Sequence, residues 1–208
     1  MLSAGLFRWT GTALLLGGVC LTLFVLVLYP VGGFFGADHA RHPAWVPAHS
    51  LHFVGALLSL FGLLGLYLCQ RAAVGRLGAL GFALAGAGLA QFVGTGMLTA
   101  FVWPVLAAHA PDTLAPDGAL FQPPANTLFY TTVLTLIPGY LLVGATLLRA
   151  GVLPRAAAVL LAVGVVLAIT PPEPVGPMPW AGLTLGGILF GAGEVWLGSL
   201  LWAKGAGS

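Results

Sequence analysis

The sequence predicts an all-α integral membrane protein, a bundle of about six transmembrane helices with short loops, forming a single domain over residues 1–208. Three observations predict it. Of the 208 residues, 59% are hydrophobic and only 6% are charged, whereas an average soluble domain is about 25% charged. A soluble chain this apolar cannot cover its own surface with polar groups, and lipid is the solvent that fits. The apolar residues also fall into six runs of roughly membrane-spanning length, near 9–35, 45–69, 77–103, 126–148, 155–170 and 180–202. Finally, if every run crosses once, Arg8, Arg71, Arg76, Arg149, Arg155 and Lys204 share one side and Arg41 alone lies on the other. Cytoplasmic loops carry the Lys/Arg excess, so the majority side is inside. That alternation requires an even number of spans and puts both termini in the cytoplasm.

Each run has its own punctuation. The first follows Arg8 and carries Pro30 and Gly32-Gly33 near its far end. It is longer than the apolar core of a signal peptide and no A-x-A-like site follows, so it reads as a retained helix. A polar link, 37–43, leads to the second run, which ends at the short basic turn around Arg71 and Arg76. The third run meets Trp103-Pro104, and a polar, proline-rich loop follows from about His109 to Pro124. Asn126 opens the fourth run in the position of a helix cap, and Pro138-Gly139 in its middle predicts a kink. Arg149 and Arg155 bracket the next turn. The fifth run is the shortest, and a proline-dense loop, 171–179, separates it from the sixth.

Small residues recur at helix-packing spacing: Gly32/Gly36, Gly182/Gly186 and Gly187/Gly191, with Gly78, Gly81, Ala85 and Gly88 in the third run. These predict close packing within the bundle, and secondarily a face for other membrane subunits or a second copy. Trp45, Trp103, Trp180 and Trp202 stand near span ends, as an aromatic belt requires. The segments 49–90 and 126–168 are both helix, basic turn, helix, a faint sign of duplication.

Composition excludes several functions. The net charge of +2 forms no basic stripe, so nucleic acid is not a partner. HExxH, GxSxG, Walker and GxGxxG motifs are absent. Cys20 and Cys69 fall at different depths and form no CxxC, which argues against a disulfide and thiol-redox chemistry. No lysine lies within a run, so there is no Schiff-base site.

Two features carry chemistry. The five histidines, His39, His42, His49, His52 and His109, all gather at the outer face. His49 and His52, spaced i, i+3, share one helix face, and imidazole suits Zn, Cu, Fe and Ni. His49, His52 and His109 are therefore candidate ligands for haem b, and His39, His42, His49 and His52 for a transition metal (Cu, Zn or Fe). His52, one turn deeper, should point into the bundle. The bland alternative is a set of wet interfacial side chains. The second feature is Glu194, the only acid inside a run, about 15 Å from the cytoplasmic end. An acid at that depth turns inward and finds a partner or stays neutral, with Tyr140, Gln91 or a backbone carbonyl as the expected partner. Glu194, Gln91 and Tyr140 are the catalytic candidates.

The leading expectation is a redox or binding module holding a haem or metal through the histidine cluster. Two readings compete: a cofactor-free accessory or scaffold subunit, and an intramembrane carrier or enzyme for a small lipophilic molecule acting through Glu194. The Ala/Gly/Leu richness and the preference for Arg over Lys point to a bacterial inner membrane.

Overall fold

A computed structural model describes residues 3–28, 36–169 and 181–206. Among them every regular element is helical: α1 (Ala4–Leu28), the short α2 (Ala37–Ala40), α3 (Trp45–Gln70), α4 (Gly75–Met97), a π-helical turn (Leu98–Val102), α5 (Trp103–His109), α6 (Thr127–Ala150), α7 (Arg155–Ile169) and α8 (Ala181–Ala206). Among the described residues five helical stretches are long and apolar enough to cross a membrane, the third running unbroken from Gly75 to His109, and α7 is a shorter apolar helix. The chain is thus a multi-pass helical membrane protein. Its outward faces carry large apolar side chains such as Phe61, Val105 and Leu134, all more than half exposed, as contact with lipid rather than water requires.

The long helices pack in a closed ring. Chain neighbours touch in order, α1 on α3, α3 on α4, α4 on α6, α6 on α7 and α7 on α8, and α8 returns to α1. Glycines set the spacing, because helices in lipid gain by close van der Waals approach. A Cβ on Gly62 of α3 would sit 2.5 Å from that of Leu14 in α1, and one on Gly88 of α4 would sit 2.7 Å from the backbone of Leu136 in α6. The expected small-residue pairs on α8 are used inside the ring: Gly186 meets α7 at Ala168, while Gly187 meets Val25 and Gly191 meets Gly18, both of α1. α6 ends where Gly151 adopts φ +62° and its N–H bonds the Leu147 carbonyl at 3.3 Å, a left-handed cap that favours glycine.

Several expectations need correction. The helices extend beyond the apolar stretches: α1 begins at Ala4, the third helical stretch reaches His109 and α8 reaches Ala206. Hydropathy marks hydrocarbon depth, but a helix satisfies its own backbone in the interface too. The loop after His109 holds 3₁₀ turns at Pro111–Leu114 and Ala119–Phe121. Asn126 occupies the cap position without capping, and its side-chain amide donates to the Phe121 carbonyl instead (2.8 Å). Trp45 and Trp103 are not belt residues: both are buried and stacked on each other. Trp202 is half exposed beneath Arg8. The two cysteines are unbonded, Cys20 beside Gly55 and Cys69 at Lys204 Nζ. Pro30, Gly32, Gly33, the loop 171–179 with Glu173, and Trp180 lie outside the described residues.

Candidate functional site

The α3 sequence builds a polar stripe. Trp45, His49 and His52 follow at i, i+4 and i+7, and Ala56 and Ser59 continue the row, so one helix face carries them all. That face points inward: Trp45, His49, His52 and Ser59 are each 5% exposed or less. Polar groups in a membrane helix are expected there, away from lipid.

At one end of the stripe is a histidine pair in an aromatic chamber. Phe24 from α1 stacks on the His52 ring (centroids 4.8 Å) and Phe92 from α4 lies against its other neighbourhood at 4.0 Å. Trp45 covers His49 at 4.0 Å and is itself backed by Trp103 at 5.5 Å. Pro104 lacks an N–H, so the π-helical turn before it leaves backbone carbonyls over; the Trp45 indole donates to one of them, Thr99, at 2.8 Å. π-turns of this kind recur at functional sites.

The two imidazoles are differently held. His49 Nδ1 lies 3.0 Å from the Trp45 carbonyl. A carbonyl only accepts, so Nδ1 carries the proton and Nε2 of the neutral ring keeps its lone pair. Such an N–H···O=C bond is the usual brace behind a metal-binding histidine. Among the described residues neither ring nitrogen of His52 makes a hydrogen bond of normal geometry, although the Phe92 backbone approaches more loosely. The buried indole N–H of Trp103 also lacks an acceptor among the described residues. The His49 and His52 ring centres are 6.2 Å apart.

The other histidines do not join the pair. Among the described residues no three His, Cys, Asp or Glu side chains come together as one metal-holding group. His42 Nδ1 accepts the Ala44 N–H at 3.1 Å, His39 lies half-buried in α2, and His109 ends α5 in the open. The loops instead form a cover. Arg41 pairs with Asp38 at 3.2 Å and donates to the Ala107 carbonyl, Gly36 N–H bonds the Leu114 carbonyl at 2.9 Å, and Leu114 is wholly buried.

Farther along the stripe, Ser59 Oγ donates to Glu194 Oε2 at 2.6 Å, and Tyr140 Oη approaches Oε1 at 3.4 Å. All three side chains are buried, with Glu194 at 0% exposure. The carboxyl therefore ties α3, α6 and α8 together, with no cation beside it among the described residues. Of the expected partners Tyr140 is present, while Gln91 bonds Thr135 and the Ala87 carbonyl instead. Ser59 was visible in the sequence, but a lone serine among apolar residues gives no signal of its partner, 135 residues away. The span threonines, Thr95 among them, bond their own preceding turns, as expected. The chain matches no protein-family profile, no curated protein and no solved structure.

Proposed function

We propose that the chain is a membrane-embedded binding module whose His49–His52 pair holds one transition-metal ion. The observation that supports this reading is the pair itself: His49, braced at Nδ1 by the Trp45 carbonyl, shares one buried helix face with the enclosed His52, whose nitrogens have no normal hydrogen bond among the described residues. Turned toward each other, nitrogens on rings 6.2 Å apart stand about 4 Å apart, the span of two metal–imidazole bonds of about 2.0 Å. With no third ligand of the His, Cys, Asp or Glu kind grouped with them among the described residues, the ion is one that accepts two donors, copper(I) first, rather than a four-coordinate zinc. A haem between these two rings is disfavoured, because residues one turn apart on the same helix leave no room for a macrocycle. His39, His42 and His109 take no ligand role in this reading, and Glu194 is a clamp between helices rather than a catalytic acid.

The same proposal includes six spans, α7 completing the sixth, with both termini on the cytoplasmic side of a bacterial inner membrane. The charge asymmetry of the loops and the closure of α8 on α1 support it. The test is an absorption spectrum with elemental analysis on protein purified in mild detergent without chelator, then reconstituted with copper. Near-stoichiometric copper, lost in His49→Ala and in His52→Ala, is expected. Protein that stays metal-free after reconstitution overturns the reading and favours an accessory or scaffold subunit.

A further inference from the structure

At the opposite end of α3 the ring leaves a cleft of about 370 Å³ between α3 and α4. Leu60, Leu64 and Tyr67 line one wall and Ala79, Ala83 and Gly86 the other. Its floor is the buried Leu63 and Phe82. The lining is apolar and lies on helices at membrane depth, so an acyl chain can occupy it without desolvating anything. What distinguishes the cleft from any lipid-facing groove is its mouth. On α3, residues 60, 64, 67 and 71 form one i, i+4, i+7, i+11 row. On α4, residues 76, 79, 83 and 86 form another. Each wall therefore ends in an arginine, Arg71 and Arg76, one helical turn beyond the last apolar residue. Both are exposed, and among the described residues neither has a carboxylate partner, the one ion pair being Arg41–Asp38. The turn that joins the helices, 71–74, puts the two cations where a span ends and lipid headgroups begin.

We infer that this cleft is a binding site for one anionic phospholipid, with an acyl chain between α3 and α4 and the phosphate on Arg71 and Arg76. Basic residues at such a mouth recognise headgroup charge, whereas the cleft alone recognises any lipid. The inference does not depend on the metal proposal.

The test is native mass spectrometry of the full chain in detergent, titrated with phosphatidylglycerol or phosphatidylcholine. One phosphatidylglycerol should bind about 30-fold more tightly than phosphatidylcholine, roughly fivefold per arginine. The Arg71→Gln/Arg76→Gln variant should abolish that preference, and Arg149→Gln/Arg155→Gln, an equal charge change at the other basic turn, should leave it intact. A Gly86→Leu variant fills the cleft and should weaken phosphatidylglycerol binding; its new Cβ makes only ordinary 4.0 Å contacts to Leu60 and Leu63, and unchanged circular dichroism checks that the helices keep their fold. Inorganic phosphate should not displace the lipid. Equal binding of the two lipids, an equal loss in the Arg149/Arg155 variant, normal binding by Gly86→Leu, or displacement by phosphate would each overturn the site.

Discussion

Removing the Ser59 hydroxyl tests the buried carboxyl clamp, and the two bonds to Glu194 predict unequal effects. The Ser59–Glu194 bond is 2.6 Å long between side chains that are 0% exposed, at the short end of O–H···O geometry where the strong bonds lie. The Tyr140–Glu194 contact, at 3.4 Å, is beyond the usual range for O–H···O. Hydrogen bonds between membrane helices average about 0.6 kcal/mol in double-mutant cycles and reach about 1.7. The Ser59 bond belongs near the top of that range, because its acceptor has no water to turn to, and the Tyr140 contact belongs below the average. A cycle of Ser59→Ala with Glu194→Leu should therefore give a coupling of about 1.5 kcal/mol, and Tyr140→Phe with Glu194→Leu less than about 0.5. Glu194→Gln keeps an acceptor for Ser59 and should lose less than Glu194→Leu. The assay is reversible unfolding in mixed micelles, followed by circular dichroism and tryptophan fluorescence. A Ser59 coupling within about 0.3 kcal/mol of zero, the error of such cycles, or a Tyr140 coupling as large as that of Ser59, would refute the clamp.

Other positions give independent checks. Gly88→Ala would place a Cβ 2.7 Å from the Leu136 backbone and should cost about 1–3 kcal/mol by overpacking. Gly94→Ala has nothing within 4 Å and should stabilise α4 by up to about 1 kcal/mol; the same micelle titration reads both. Trp45→Phe removes the 2.8 Å indole bond to Thr99 and should cost about 1 kcal/mol, with a loss of near-ultraviolet circular dichroism and weaker copper uptake. In intact cells, Ala72→Cys should label with a membrane-impermeant maleimide only after permeabilisation and Asp117→Cys should label before it; the reverse pattern inverts the topology.

Much of this architecture is legible along the chain because lipid imposes one rule on every residue. The apolar runs mark the spans, and the inward turn of His52 and Glu194 follows from the cost of polar groups in hydrocarbon. A partner for Glu194 is expected from the same cost, and Tyr140 is one of those found there. What the chain order does not display is contact between distant segments. Trp45 and Trp103 sit at span ends, where amphipathic rings usually meet the interface; here the loop cover through Arg41, Ala107 and Leu114 encloses that end and turns both inward. The i, i+4 spacing of Trp45 and His49 was the available signal. Phe24 and Phe92 carry no mark that separates them from the other phenylalanines, because which helix faces α3 is decided by ring packing. Grouping five histidines at one face says little about whether they converge: the His49 and His52 ring centres stand 6.2 Å apart, and among the described residues no group of three ligating side chains forms.

X-ray absorption at the copper edge of copper(I)-loaded protein reports on the two-imidazole seat itself. One copper per chain is expected, with two imidazole nitrogens at about 2.0 Å, no sulfur neighbour, and loss of that signal in His49→Ala. A sulfur-bound copper, a site unchanged in His49→Ala, or no specific uptake would contradict it.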